Sequence, residues 1–235
     1  MEKCAVIMAG GKGTRLYPYT MVLPKPLVPI SDYPIMEIVI KQLAYYGFKR
    51  IIITVNHQAE LIETYFGYGS RYGVSIEYSI EKKALSTMGP LKLIKALPDN
   101  FLVMNSDVLT DLNYSDFFNK HIELGSLFSV SAFTRIQNVE YGVLLENEGV
   151  LSDFQEKPHI EYLVSMGIYA VSKEILKYIP ENTFWGFDDL MRDLLNRQKR
   201  VNVLRHEGYW LDIGRPDDYK AATDEFERRK EIYLK

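Results

Sequence analysis

The residues best suited to chemistry lie near the start of the chain, where three glycines precede a basic residue. An apolar run ends at Ala9, and Gly10, Gly11 and Gly13 then allow the backbone to turn its N–H groups toward phosphate oxygens. Arg15 adds a planar fork of hydrogen-bond donors for the same anion. The spacing matches neither the P-loop pattern G-x-x-x-x-G-K-[ST] nor the dinucleotide pattern G-x-G-x-x-G. We therefore expect a phosphate-binding loop of a different kind.

A lysine between two prolines supplies a second cation. Pro24 and Pro26 exclude Lys25 from a regular helix and predict a stiff loop. A lysine held in this way is a preorganised positive charge, whereas the same lysine on its own would be interpreted as a solvated loop residue. Its position soon after the glycine loop favours the functional interpretation.

Short β-type runs alternate with helical patterns in the elements that must position these residues. Strands are predicted at 4–9, 51–55, 74–79 and 101–105, and helices at 35–46, 58–66, 91–96 and 114–124. Further strands are predicted at 127–134, 141–145, 150–155 and 164–171, which should add antiparallel strands to the sheet, and a helix of about 15 residues begins at Pro216. The pattern predicts an α/β fold, a Rossmann-like three-layer αβα sandwich with a mixed, mostly parallel central sheet.

Composition limits the classes of partner. The chain has 235 residues, and 28 Lys and Arg against 31 Asp and Glu give a net charge of −3. This balance argues against a broad surface for nucleic acid, and the apolar runs are far shorter than the roughly 20 residues that span a bilayer. We expect no nucleic-acid partner, no membrane association, a cytoplasmic location and a buried Cys4. The histidines show no metal-binding spacing and are expected to be structural: His57, His121, His159 and His206.

The segment 5–30, AVIMAGGKGTRLYPYTMVLPKPLVPI, resembles the G-G-x-G-T-R-L…P-K-P signature of the sugar-1-phosphate nucleotidyltransferases, in particular members like the mannose-1-phosphate guanylyltransferases. Further blocks follow in the family's order: EKKALSTMGPL at 81–91, FLVMNSD at 101–107, YGV at 141–143, FQEKP at 154–158, MGIY at 166–169 and WLDIGRPDDY at 210–219. The resemblance covers nearly the whole chain. It implies one catalytic domain over 1–235, with a nucleotide-binding half at about 1–112 and a sugar-phosphate-binding half at about 113–235.

The resemblance implies a reaction in which an oxygen of a sugar 1-phosphate attacks the α-phosphorus of a nucleoside triphosphate while pyrophosphate leaves from the opposite side. No protein nucleophile is needed, so catalysis consists of holding two anions in line and neutralising their charge. Arg15 would hold the pyrophosphate end, and Lys25 would stabilise the α-phosphate in the transition state. The nucleotide-binding residues that the resemblance implies are Ala9, Gly10, Gly11, Gly13, Thr14, Glu81, Ser86 and Ser106.

Asp107 and Asp212 are the expected metal ligands. Each follows an apolar, strand-like run, which would place both at the carboxyl edge of the sheet, where open α/β folds bind ligands. Two carboxylates together with phosphate oxygens and waters suit Mg²⁺, and we expect this ion as the cofactor.

A second set of residues is expected to bind the sugar phosphate. The resemblance implies that Lys157, which precedes Pro158, binds the phosphate and that Glu156 accepts hydrogen bonds from sugar hydroxyls. The remaining residues on the sugar side are Tyr141, Gly142 and Ser165. The expected partners are thus a nucleoside triphosphate and a sugar 1-phosphate, and the 17 tyrosines are compatible with a homo-oligomer.

Glu81 bears on the identity of the base. A carboxylate offers only acceptors, which match the adjacent N1–H and N2–H₂ donors of guanine, whereas cytosine and uracil edges mix acceptors with donors. The sequence therefore favours GTP. Two alternatives stay open: Glu81 is a surface acid beside Lys82 and Lys83, or the chain is a thymidylyl-, uridylyl- or cytidylyltransferase of the same family.

Four residues depart from the family pattern. Ser86 and Ser106 stand where glycine is usual, Met88 stands where a small residue is common, and Ser165 replaces an asparagine. These departures leave the sugar unassigned. They also motivate a second hypothesis, a catalytically silent paralogue that binds a nucleotide sugar and regulates a partner.

A third hypothesis is a glycosyltransferase that uses a nucleotide sugar. Such an enzyme usually carries a D-x-D motif, whereas this chain has Asn105, Ser106 and Asp107 at the corresponding strand end. It would also have no reason to keep Arg15 together with Lys25. Release of pyrophosphate distinguishes the nucleotidyltransferase from both alternatives.

Overall fold

A computed structural model describes residues 3–56 and 58–234 of the chain. Its strands are β1 (Lys3–Met8), β2 (Pro29–Ile30), β3 (Tyr33–Pro34), β4 (Phe48–Val55), β5 (Ser75–Ile80), β6 (Asn100–Asn105), β7 (Val108–Thr110), β8 (Phe128–Asn138), β9 (Val143–Asn147), β10 (Val150–Gln155), β11 (His159–Ser172), β12 (Val201–His206) and β13 (Trp210–Asp212). Its α-helices are α1 (Ile35–Tyr45), α2 (Ala59–Phe66), α3 (Tyr114–Glu123), α4 (Phe187–Asn196), α5 (Pro216–Arg228) and α6 (Lys230–Tyr233). Short 3₁₀ helices occur at Thr14–Leu16, Lys25–Leu27, Ser70–Tyr72, Gly89–Leu93 and Lys173–Tyr178.

The central sheet of the described residues has seven strands in the order β12-β8-β11-β6-β1-β4-β5. Strand β11 is antiparallel to both of its neighbours, β6 and β8, while the other neighbouring pairs are parallel. The prediction of a mixed, mostly parallel sheet is therefore confirmed. Strands from the first 112 residues and from the rest of the chain share this one sheet.

Apolar side chains alternate along β1 and pack against layers on both faces of the sheet. Ala5 and Ile7 belong to a cluster with residues of α1, α2 and α3, whereas Cys4 and Val6 belong to a cluster with residues of α4. A third cluster joins the start of α1 to α5 and α6. The three-layer αβα arrangement is thus confirmed, and Cys4 is buried as expected. No helix in residues 3–56 and 58–234 has both the length and the apolar character needed to cross a bilayer.

Some local predictions differ from the structure. The helix predicted at 91–96 is a 3₁₀ helix over Gly89–Leu93. Pro90 and the restriction that Pro98 places on Leu97 leave a segment too short to nucleate a stable α-helix. The terminal helix stops at Arg228, since Arg229 leaves the helical conformation with φ −135°. Helix α4 and strand β12 were not predicted.

The strands predicted at 141–145 and 150–155 form, as β9 and β10, but they pair with each other in a separate two-stranded sheet rather than joining the central one. Alternating polarity identifies a strand without identifying its partner. The hairpin is carried by the outer ends of β8 and β11, which pair from Thr134↔Leu163 to Asn138↔His159. We call residues 134–163 the arm, and most of its side chains are exposed.

Candidate active site

The glycine loop lies where β1 ends. Ala9 extends the strand, since its N–H donates to the carbonyl of Thr54. A Cβ on Gly10 would stand 2.7 Å from Oε1 of Glu81, and a Cβ on Gly13 would stand 3.0 Å from the Cβ of Lys25. Gly13 also has φ +66°, the left-handed region that favours glycine. The space beside Glu81 therefore favours glycine at position 10, and the backbone conformation favours it at position 13.

The two predicted cations enter the site on single turns of 3₁₀ helix. Arg15 follows Thr14, and the side chain of Leu16 anchors that turn in the core with no exposed surface. Lys25 begins the second turn, directly after Pro24. The Nζ atom of Lys25 contacts Oδ2 of Asp107, and both side chains are largely buried. The positive charge of Lys25 is thus fixed in position by a carboxylate.

The two predicted acids lie side by side because their strands are paired. Strands β7 and β13 are antiparallel, with Asp212 opposite Val108, and the N–H of Ile213 donates to the carbonyl of Asp107 at 3.0 Å. Burial, reinforced by the nearby charge of Asp107, raises the pKa of Asp212, while Lys25 and Arg15 oppose that shift. Asp212 was predicted at the carboxyl edge of the central sheet. It lies instead on the short strand β13, which pairs only with β7 among the described residues.

Two adjacent cavities meet at these charges. The larger, about 500 Å³, is lined by the glycine loop and by Glu81, the 84–87 segment and Ser106. The smaller, about 250 Å³, is lined by Ser165, Tyr169, Trp210 and Asp212, among others. Residues that line both are Arg15, Asn105 and Asp107. The shared boundary is therefore where a reacting group could bridge two bound molecules.

The carboxyl group of Glu81 is in the wall of the larger cavity, and the residue is only 6% exposed. Its Oε2 accepts a hydrogen bond from the N–H of Leu85 at 3.1 Å, and its Oε1 faces Gly10. Burial raises the pKa of Glu81, and the hydrogen bond from Leu85 opposes the shift. The surface alternative for Glu81 is therefore wrong, because the neighbouring lysines are exposed while Glu81 is not.

Three of the residues that depart from the family pattern line the cavities. Ser86 has φ +65°, so this serine adopts the conformation in which a glycine is favoured. Ser106 is buried beside Asp107. Ser165 begins a bulge in β11, where it accepts a hydrogen bond from the N–H of Gly167, and a Cβ on Gly167 would stand 2.6 Å from Nδ2 of Asn105.

The other four sugar-side residues lie on the arm and are exposed: Tyr141, Gly142, Glu156 and Lys157. None of these four is among the described residues that line the two cavities. Gly142 and Glu156 lie close together, because a Cβ on Gly142 would stand 3.2 Å from Oε2 of Glu156 and 2.6 Å from the ring of Phe154. Lys157 has φ +44°. The structure thus brings Gly142 and Glu156 together on the arm, apart from the described residues that line the two cavities.

Sequence reasoning missed several cavity residues. Asn56 directly follows β4 and Asn105 is the last residue of β6, so the rule that located Asp107 could have located them as well. Phe184 lies in a segment with no recognisable pattern, and no signal pointed to it.

The histidines in the described part of the chain do not line either cavity. His121 is buried between Ser129 and Asn100, and His206 pairs with Asp111 at 2.8 Å. His57 lies outside the described residues.

The amino-acid sequences of known proteins are similar to that of this chain over most of its length. Residues 4–229 match the family model described as "Nucleotidyl transferase". A UTP–glucose-1-phosphate uridylyltransferase from Synechocystis sp. is 36% identical over 239 residues, covering 93% of this chain and 62% of that protein. A mannose-1-phosphate guanyltransferase from Candida albicans is 33% identical over 229 residues, covering 93% of this chain and 63% of that protein. The chain spans a little under two thirds of the length of these relatives.

A solved structure is similar in fold as well. HddC from Yersinia pseudotuberculosis, complexed with GMP-PN, superposes with a TM-score of 0.71 at 27% identity, covering 95% of this chain and 99% of that chain. Since the family model spans all but the ends of the sequence, the chain belongs to the nucleotidyl transferase family.

Proposed function

We propose that this chain transfers a nucleoside monophosphate from a nucleoside triphosphate to a sugar 1-phosphate. A phosphate oxygen of the sugar phosphate forms a bond to the α-phosphorus, and the bond from that phosphorus to the β-phosphate oxygen breaks. The products are a nucleotide sugar and pyrophosphate. The names of the relatives from Synechocystis and Candida belong to this reaction class.

One observation carries the proposal: Arg15 and Asp107 line both of two cavities of unequal size, and Lys25, which lines the larger one, contacts Asp107. The larger cavity suits a nucleotide, and the smaller suits a sugar phosphate. Two bound anions that meet at this boundary repel each other, so fixed cations there lower the barrier to their reaction. Arg15 holds the pyrophosphate end, and Lys25 stabilises the charge that develops on the α-phosphate.

The donor set near this boundary fits a divalent cation. Asp107, which directly precedes β7, and Asp212 on β13 supply carboxylate oxygens, and burial together with the charge of Asp107 raises the pKa of Asp212 although Lys25 and Arg15 oppose the shift. Mg²⁺ prefers oxygen ligands and keeps places for phosphates and waters, so two protein carboxylates suffice. When bound, Mg²⁺ neutralises phosphate charge, which complements Lys25.

Guanine is the base that we propose. Glu81 lines the larger cavity and its Oε1 lies beside Gly10 of the glycine loop, so this carboxylate is placed to accept from the donor edge of guanine. The relatives point to more than one base, since one is named as a uridylyltransferase, another as a guanyltransferase, and HddC was solved with GMP-PN. The side chain of Glu81 is the local feature that favours GTP over UTP.

The sugar side of the proposal involves the arm. Lys157 carries the positive charge that binds a phosphate, Glu156 offers acceptors for sugar hydroxyls, and Gly142 lies beside Glu156. Tyr141 precedes Gly142 in the chain. We propose that these residues bind the sugar phosphate together with Ser165, which reaches the smaller cavity directly.

The reaction is tested by pyrophosphate release from the purified chain, with each nucleoside triphosphate paired with each of a panel of sugar 1-phosphates and Mg²⁺ present. We expect release that requires both substrates. Binding of nucleotide sugar without any pyrophosphate release would instead support the silent paralogue. In a separate assay that supplies a nucleotide sugar and a sugar acceptor, release of nucleoside diphosphate would support the glycosyltransferase.

Association into a homo-oligomer is also proposed, because the arm exposes apolar side chains that a monomer would leave in water. They include Ile136, Leu144, Val150, Leu151 and Phe154. Light scattering during size-exclusion chromatography measures the molar mass, and a value near the 27.2 kDa of one chain would contradict the proposal. The cytoplasmic location stays a prediction.

A further inference from the structure

An exposed aromatic side chain stands at the wall of the larger cavity and comes from the far half of the sequence. Phe184 lines that cavity together with Glu81, Leu85 and Ser86, yet 65% of its surface is exposed. Single exposed apolar side chains are common on protein surfaces, but Phe184 lines the cavity that is proposed for the nucleotide, where a bound ligand would cover its ring.

The backbone that carries Phe184 is fixed on both sides. The N–H of Trp185 donates to the carbonyl of Leu85 at 3.0 Å, and the carbonyl of Trp185 accepts from the N–H groups of Met88 and Gly89 at 2.9 and 3.0 Å. Two residues further on, the N–H of Phe187 donates to Oγ1 of Thr87 at 2.9 Å. Phe184 is therefore held against the same 85–89 segment that forms the cavity wall.

Close packing reinforces this attachment. A Cβ on Gly89 would stand 2.7 Å from the carbonyl oxygen of Thr183, and a Cβ on Gly186 would stand 3.2 Å from Oγ of Ser86. On the preceding side, Nζ of Lys83 donates to the carbonyl of Asn182 at 2.6 Å. The backbone at Phe184 is thus already ordered, so a ligand that covers the ring does not have to order this segment.

We infer that Phe184 packs its ring against the nucleobase of the bound nucleoside triphosphate. The inference rests on the proposed function, because that proposal puts the base beside Glu81 and the 84–87 segment. An aromatic ring stacks on any base because every base has a π-face, whereas Glu81 reads the pattern of donors on its edge. Phe184 then supplies affinity for nucleotides in general, and Glu81 supplies the preference among them.

The test compares binding of GTP, UTP and inorganic tripolyphosphate to the wild type and to Phe184→Ala by calorimetry, each with Mg²⁺. Loss of one base–aromatic contact is expected to weaken GTP and UTP binding roughly tenfold or more. Tripolyphosphate has no base, so its affinity should change less than twofold. Phe184→Trp should restore the nucleotide affinity, since indole offers a larger stacking surface.

Tyr68→Ala is the matched control, because Tyr68 is 85% exposed and is not among the described residues that line the cavity. This control should change none of the three affinities, and thermal melting should place both alanine variants near the wild type. Unchanged GTP binding in Phe184→Ala, or an equal loss for tripolyphosphate, would overturn the inference. Because binding is measured without turnover, a chain that binds GTP through Phe184 but releases no pyrophosphate would contradict the proposed function and leave this inference standing.

Discussion

Lys25 and Asp107 are in direct contact although 82 residues separate them in the chain. Lys25 lies in the loop that follows β1, and Asp107 comes two residues after the end of β6. Strands β1 and β6 are parallel neighbours, so their carboxyl ends open at the same edge of the sheet. The sheet topology therefore brings the Lys25 ammonium into contact with the Asp107 carboxylate where the two cavities meet.

Lys25→Ala should lower the turnover number by about 10²-fold or more while changing the affinity for the triphosphate much less. A fixed charge that acts on the developing charge of the transition state contributes chiefly to the chemical step. Steady-state kinetics with separate measurement of GTP binding checks this, and Lys49→Ala, an exposed lysine on β4, is the control. Near-normal turnover in Lys25→Ala would remove Lys25 from its catalytic role.

Asp107→Asn and Asp212→Asn should each raise the Mg²⁺ concentration that gives half-maximal activity. Each substitution removes one anionic oxygen from a shared site, so the double variant should lose less than the product of the two single losses. Activity is titrated against Mg²⁺ after treatment with a chelator. If both single variants kept full activity at trace metal, the two carboxylates would not be ligands.

The sequence could locate residues that directly follow a buried strand, and it could not locate those positioned by long-range packing. Asp107 was found because an apolar run precedes it, and the same reasoning could have found Asn56 and Asn105. The location of Phe184 depends on hydrogen bonds between residues about 100 positions apart, such as that from Phe187 to Thr87. Such pairings leave no periodic trace in the sequence.

The arm illustrates the same limit for the fold. Its strands were predicted from alternation, but an exposed hairpin and a strand at the edge of a sheet have the same local pattern. The contact between Gly142 and Phe154 is established by the pairing of β9 with β10, for which the sequence offered no register.

Ser86→Gly should stabilise the chain, because Ser86 has φ +65° and a side chain there costs free energy that glycine avoids. Glycine also makes the unfolded chain more flexible, so the net gain should be on the order of 0.5–1 kcal/mol. Ser75→Gly, in the extended strand β5, is the control and should be destabilising. Urea unfolding measures both, and a loss of stability in Ser86→Gly would mean that the serine hydroxyl makes a contact that outweighs the strain.

His121 should make the chain sensitive to acid. Burial lowers the pKa of His121 from 6.5 to about 4, so the folded chain keeps this ring neutral at pH values where the unfolded chain protonates it. Stability attributable to His121 is therefore complete above about pH 6.5 and decreases as the pH falls toward 4, by about 3 kcal/mol in total.

Urea unfolding between pH 7.5 and 4.5 tests the role of His121 through the slope of stability against pH. His121→Gln cannot titrate, so its stability should fall less steeply with acid than that of the wild type, whatever its stability at pH 7.5. His159→Gln, which removes an exposed histidine of the arm, should leave the slope unchanged. Parallel slopes for the wild type and His121→Gln would show that the ring does not carry the acid sensitivity.

Glu81→Gln should reduce the preference for GTP over ITP, which lacks the 2-amino donor. The Oε2 atom of Glu81 accepts from the N–H of Leu85, and a carboxylate oxygen has a second lone pair, so both oxygens of Glu81 stay available to the base. A glutamine keeps an acceptor for Leu85 but presents donors where the guanine edge also has donors. The mismatch in a buried site leaves polar groups unpaired, which costs a few kcal/mol, or roughly 10²-fold in selectivity.

The selectivity is measured as the ratio of kcat/KM values for GTP, ITP, UTP and dTTP with one sugar 1-phosphate held fixed. In Glu81→Gln, the relative use of UTP and dTTP should rise, because their imide edge alternates acceptor and donor as an amide does. Glu60→Gln, on the exposed side of α2, is the control for removal of one negative charge and should leave the ratios unchanged. A wild-type chain that uses UTP, dTTP or CTP better than GTP would overturn the guanine assignment, while pyrophosphate release with any of them would keep the nucleotidyl transfer reaction in place.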